Sequence, residues 1–206
     1  MRAPVAGIDT FMPSRAFAVT FDYRCPFARI AHEHILEGLA GGAEWDVKFL
    51  PFSLSAAKDP TWSREDDSGL LALELAVAVR ETQPDLFPAA HEALFSFRHD
   101  RGGNLRSIDD LSMELDAAGV DVPPMLAEVN SGVPLKIVRE EHDAAVNDHG
   151  VWGVPTFIAG DQAVFVRLME RPAGSEVRGA AAIERIVDML TGWPELNEFK
   201  HPRLPR

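Results

Sequence analysis

The sequence predicts an α/β fold, a four-stranded mixed sheet carrying an all-helical insertion, and three observations carry that prediction. The chain opens with a strand-helix-strand pattern, runs through a long middle block of helical periodicity, and closes with two short strands and a final helix. The opening unit reads as follows. Ala16 to Asp22 is rich in β-branched and aromatic residues and only partly alternating, the pattern of a strand buried on both faces. Phe27, Ile30, Ala31, His34, Ile35 and Leu39 then recur at helical spacing until Gly41-Gly42 ends the run. Pro26 falls in that helix's first turn, where its missing N–H costs nothing. A second strand, residues 44 to 52, completes a βαβ unit whose strands must be parallel.

The middle block holds helices at residues 70–80, 86–97, 108–118 and 135–146. Ser107 with Asp110 offers a capping pair and Gly119 a stop, while prolines at 84, 88, 123, 124 and 134 fall at junctions or first turns. Strands return at residues 155–159 and 163–167, joined through Gly160-Asp161, a pair suited to a tight hairpin turn. The last helix spans about 180–190. This gives a loose tail over residues 1–15, one domain formed from 16–62 and 150–206, and the insertion over 63–149.

Composition narrows the function. A chain of 206 residues, 46% hydrophobic and 25% charged, can bury a real core. Its formal charge of −12 and the absence of any Lys/Arg cluster argue against a nucleic-acid partner. The first 14 residues lack the apolar centre of a signal peptide. The longest apolar stretch, Leu70 to Val79, is interrupted by Glu74 and falls far short of the roughly 20 residues of a membrane span. A cytoplasmic protein without a membrane partner is expected. The single cysteine suits that reducing compartment and excludes an intramolecular disulfide.

That cysteine, Cys25, stands at the first strand-to-helix junction. A thiol there faces unpaired backbone N–H groups and the positive end of the helix dipole, both of which favour the thiolate. Arg24 adds positive charge and Asp22 opposes it, so a lowered pKa and a partly exposed sulfur are expected. Position alone leaves a second meaning open, since a lone cysteine also serves as an inert buried hydrophobe.

Downstream, Gly153-Val154-Pro155-Thr156-Phe157 leads into the hairpin. A Cys-Pro-aromatic helix start, an all-helical insertion, and Gly-Val-Pro-Thr-Phe before a hairpin together resemble the DsbA family of the thioredoxin superfamily. Within it the chain looks like the FrnE-like branch and, more distantly, the branch of kappa-class glutathione transferase and hydroxychromene-carboxylate isomerase. The resemblance covers the order of elements from Ala16 to Leu190 and implies a thioredoxin-like fold. It also implies a cis bond at Val154-Pro155 facing Cys25, with the Val154 backbone left to pair with an extended substrate. Catalysis then falls to Cys25, and substrate binding to Pro26, Phe27, Val154 and Pro155.

The chain departs from the family pattern where a resolving cysteine would stand, at Ala28. Cys25 is therefore a monothiol whose mixed disulfide an external thiol must resolve, glutathione, mycothiol or another low-molecular-weight thiol acting as co-substrate. No tightly bound cofactor is expected, and the substrate is a protein or small-molecule thiol. Homodimer formation is left open. The leading reading is a thiol oxidoreductase. A glutathione-type transferase or isomerase acting on small electrophiles is the first alternative, and a non-enzymatic thioredoxin-fold binding module the second.

Other candidates are weaker. His32 lies about two turns beyond Cys25, too far to take its proton at roughly 1.5 Å rise per residue. His32 and His34 point to different helix sides, so they make no metal pair. Glu140, Glu141, His142, Asp143, Asp148 and His149 read as a solvated helix face rather than a metal site. His149 is kept as a group able to approach the mouth of the site. Phe27, Trp152 and Phe157 are placed as walls of an apolar pocket or as core.

Overall fold

A computed structural model describes residues 15–201 of the chain; the tail read over residues 1–14 lies outside the described residues. The order of elements is β1 (Arg15–Phe21), α1 (Pro26–Ala40), β2 (Trp45–Pro51), α2 (Leu70–Thr82), a single 3₁₀ turn (Pro84–Leu86), α3 (Phe87–His99), α4 (Ile108–Ala117), α5 (Val122–Ser131), α6 (Val133–His149), β3 (Thr156–Ala159), β4 (Gln162–Phe165) and α7 (Glu176–Gly192). The fold is thioredoxin-like. Its sheet runs β2-β1-β3-β4. β1 and β2 are parallel across the α1 crossover, and β3 is antiparallel to both β1 and β4.

Arg15, assigned above to the tail, opens β1 in register with Trp45 of β2. Val19 and Phe21 are fully buried, because β1 is central and covered on both faces. On one of those faces α1 packs closely against α7. A Cβ on Gly179 would sit 2.8 Å from the His34 carbonyl oxygen, so the two backbones meet where α7 has no side chain.

Between β2 and β3 the described residues contain no strand. α2 is buried along its whole length from Leu70 to Val79, and Glu74 within it is neutralised by Arg64 at 2.6–2.7 Å. α5 was not anticipated. Pro123 and Pro124, read as standing at a junction or in a first turn, stand in its first turn, where N–H groups have no intrahelical partner to lose. Gly132, at φ +79°, ends α5 and starts α6 without an intervening loop.

The polar cluster on α6 divides. Glu140, Asp143 and Asp148 are exposed, but Glu141 bonds Arg80, and His142 is buried against Phe52 and Trp62. The solvated-face reading therefore fails at His142, whose aromatic ring fills the gap between α6 and the segment after β2. No helix among the described residues is long and apolar enough to cross a membrane.

Candidate active site

The turn from β1 into α1 is built by its own backbone and one buried carboxylate. Cys25 N–H donates to the Asp22 carbonyl at 2.9 Å, closing a four-residue turn that ends at the α1 N-cap. Cys25 has extended backbone angles there (φ −91°, ψ 115°), and its sulfur accepts the Ala28 N–H at 3.4 Å, the place a capping oxygen usually takes. Pro26 is exposed at the first helical position, and Phe27 is half-buried.

The other wall is the segment before β3. The Val154–Pro155 peptide bond is cis. The Cys25 thiol donates to the Val154 carbonyl at 3.4 Å, which joins two positions 129 residues apart. Val154 and Pro155 are both buried. Thr156 N–H donates to Thr20 Oγ1 at 2.9 Å, and the Pro155 carbonyl accepts Val166 N–H at 3.2 Å, so β1 and the strand after the hairpin hold this segment from both sides.

Two expectations for Cys25 are corrected. Cys25 is buried rather than partly exposed, the residue keeping 9% of its full accessibility. Its pKa is raised, not lowered. Burial pushes it up, and this outweighs the Ala28 and Phe27 N–H groups that pull it down; Asp22 raises it further, and Arg167 lowers it. The reason Arg24 gives no help is geometric. Its guanidinium turns away to Asp22, which takes Arg24 Nε–H at 2.9 Å and Arg24 Nη2–H at 2.5 Å. Its remaining nitrogen, Nη1, donates to Ser55 Oγ at 2.7 Å and pairs with Asp67 at 3.0 Å. Asp22, fully buried, also accepts the N–H of Leu54 at 2.9 Å. Gly69 leaves the space this network needs, since a Cβ there would lie 2.6 Å from Arg24 Nε.

The positive charge that does act on Cys25 was not foreseen. Arg167, just past β4, lies over the Phe27 ring at 5.4 Å and the Phe165 ring at 5.9 Å. Trp152, 69% exposed, packs on Phe165 at 4.6 Å between centroids. Phe157 belongs to the core against Phe17 and is no pocket wall. Nothing in the local sequence around Arg167 marks it, because only the hairpin brings β4 back beside the α1 N-terminus.

Behind the turn runs a buried polar chain that sequence reasoning also missed. Tyr23 Oη is 2.7 Å from His91 Nδ1, His91 Nε2 is 2.7 Å from His32 Nδ1, and His32 Nε2 is 3.3 Å from the Thr20 carbonyl. A carbonyl only accepts, so His32 carries its proton on Nε2. His32 Nδ1 then accepts from His91 Nε2–H, and His91 Nδ1 accepts the Tyr23 hydroxyl. Burial holds all three neutral: the His32 pKa falls to about 3, that of His91 well below its ordinary value, and that of Tyr23 rises. His149 makes no hydrogen bond to Cys25, and its Nδ1 is buried without a partner among the described residues.

A cleft of about 420 Å³ lies beside the site, lined by Ala56, Pro60, Trp62, His142, Val146 and Trp152 among others. Cys25 is not part of its lining. One wall continues from Ala56 to Ser55, which holds Arg24, and the other from Trp152 to Val154, which holds the Cys25 thiol.

The sequence profile of the DSBA-like thioredoxin domain matches residues 18–170. Among curated proteins none matches by sequence. Solved structures share the fold at low identity. The cytosolic disulfide reductase DsbM from Pseudomonas aeruginosa with GSH is 13% identical over 84% of this chain and 98% of its own, at a TM-score of 0.62. The thiol-disulfide exchange protein alpha-DsbA2 from Wolbachia pipientis is 19% identical over 86% and 82%, at 0.60. A 2-hydroxychromene-2-carboxylate isomerase is 15% identical over 84% and 97%, also at 0.60.

Proposed function

The chain belongs to the DSBA-like thioredoxin domain family, and from that premise we propose that it is a monothiol thiol-disulfide oxidoreductase working through Cys25. The observation that carries the reading is the placement of its one cysteine, at the α1 N-cap and 3.4 Å from the carbonyl that precedes Pro155. The Cys25 thiolate attacks one sulfur of a substrate disulfide. A Cys25–sulfur bond forms as the substrate's S–S bond breaks, and the leaving sulfur departs as thiolate. With Ala28 at the resolving position, a low-molecular-weight thiol of the glutathione or mycothiol type attacks the substrate-side sulfur and releases Cys25 as thiolate. Val154 supports substrate binding: among the described residues its N–H has no hydrogen-bond partner, and its carbonyl meets only the thiol.

The raised Cys25 pKa fits this chemistry with one adjustment. Fewer sulfurs are ionised at neutral pH, but each thiolate is the stronger nucleophile for its higher basicity. Intact mass of protein purified without reductant should show an adduct of one small thiol on Cys25, absent in Cys25→Ser. An unmodified wild-type mass after exposure to oxidised glutathione would refute the reading.

The same titration favours a second reading. A cysteine that stays protonated can donate its S–H to a bound thiolate, as a glutathione-type transferase or isomerase requires, and the Trp62–His142–Trp152 cleft would then take the small electrophile. Turnover of an electrophile that survives in Cys25→Ser at reduced rate would select it.

A further inference from the structure

The Arg167 guanidinium lies over two aromatic rings. Its central carbon is 5.4 Å from the centre of the Phe27 ring on α1 and 5.9 Å from that of the Phe165 ring on β4, while no hydrogen bond or ion pair to Arg167 exists among the described residues. Glu170, three residues on, pairs with Arg178, and Glu33 of α1 pairs with Arg29 and Arg171. A guanidinium held by ring stacking keeps its in-plane N–H donors, which match a carboxylate in a two-pronged pair. Contact with both rings restricts its position, so less side-chain freedom is lost when an anion arrives. It stands over Phe27, two residues from Cys25, in a chain whose net charge of −12 otherwise repels anions.

We propose that Arg167, braced by Phe27 and Phe165, is an anion site beside Cys25 that binds a carboxylate of the thiol or disulfide exchanging there. Resting on the reading of Cys25 as the exchanging thiol, this makes the co-substrate a carboxylate-bearing thiol of the glutathione class rather than an uncharged sugar-linked thiol. Trp152, exposed and packed on Phe165, extends the same surface and suits the remainder of such a ligand.

Two disulfide probes separate charge from reactivity: dithiobis(nitrobenzoate), which carries two carboxylates, and dithiodipyridine, which is neutral. Each accepts the Cys25 thiolate, forms a mixed disulfide and releases one coloured thiol. Rate constants are measured for wild type, Arg167→Gln, Arg167→Lys and Arg101→Gln, the last removing an equal charge that is paired with Glu114. Arg167→Gln should lower the anionic-to-neutral rate ratio about tenfold, the scale of one charge-assisted pair. Arg167→Lys should fall between, and Arg101→Gln should match wild type. The ratio cancels any change in thiolate fraction, since the same sulfur attacks both probes. An unchanged ratio in Arg167→Gln, or an equal fall in Arg101→Gln, overturns the anion site.

Binding of S-methylglutathione, which has carboxylates but cannot exchange, is followed by calorimetry in parallel. It should weaken about tenfold in Arg167→Gln, and equal affinity in the two proteins counts against the site. A wild-type Cys25 that reacts with neither probe while folded, yet reacts in urea, would refute the oxidoreductase reading and leave the calorimetric result to decide on Arg167.

Discussion

Acidification should destabilise this protein well before its carboxylates are titrated, because two imidazoles at its centre are buried neutral. The His32 and His91 rings pack against Phe21, Phe49, Phe87 and Phe95 with no carboxylate in contact. Their folded pKa values lie below the unfolded value near 6.5, that of His32 at about 3. The unfolded chain therefore binds more protons between those limits. Stability is complete above about pH 6.5 and is lost as pH falls toward the folded pKa. At about 1.4 kcal/mol per pH unit, His32 alone removes about 2 kcal/mol by pH 5 and about 4 kcal/mol by pH 3. His91 acts in the same direction, as do His99 and His142, whose pKa values burial also lowers. A domain holds about 5–15 kcal/mol in total, so the change is large. Urea unfolding followed by circular dichroism from about pH 7.5 to about pH 5 should show the midpoint falling steadily. The His32 ring proton resonances should stay in their neutral position across that range. A flat urea midpoint, or a His32 resonance titrating near 6.5, would refute the buried neutral chain.

Further outcomes follow from the network beneath the thiol. Gly69→Ala places a Cβ 2.6 Å from Arg24 Nε. That side chain cannot swing aside without leaving Asp22 and Asp67, so the variant should lose about 3 kcal/mol in urea unfolding, the scale of a broken buried pair; a loss below about 1 kcal/mol would mean the guanidinium relocates freely. The pH-rate curve for Cys25 alkylation should have its midpoint above the roughly 8.5 of a free cysteine, because burial raises the folded pKa. Arg167→Gln should move that midpoint higher still, as the charge that lowers it is gone, and a midpoint shifting down would contradict the placement of Arg167.

What the sequence made legible about this site, and what it hid, divides by the range of the interactions. The location of Cys25 follows from local rules: a strand period changes to a helix period at one residue, and Pro26 marks the first turn. The fold class follows in the same way, because the crossover and the hairpin are each set by short-range pattern. The thiol's titration does not. It turns first on the burial of Cys25, and the help expected from Arg24 depends on where its guanidinium points, which is set by Asp67 and by the absence of a side chain at Gly69, more than 40 residues downstream. Adjacency in sequence made Arg24 look like the group that activates the thiol, whereas Asp22 beside it and Asp67 across the fold neutralise it, and the hairpin brings Arg167 to Phe27 instead. His142 shows the same limit in reverse: its polar neighbours on α6 describe the helix's outer face, while the burial of its ring depends on Phe52 and Trp62 from another segment. An expectation about charge near a reactive group therefore needs the ion-pair partners of each neighbouring residue, and these are set by tertiary contacts that periodicity does not carry.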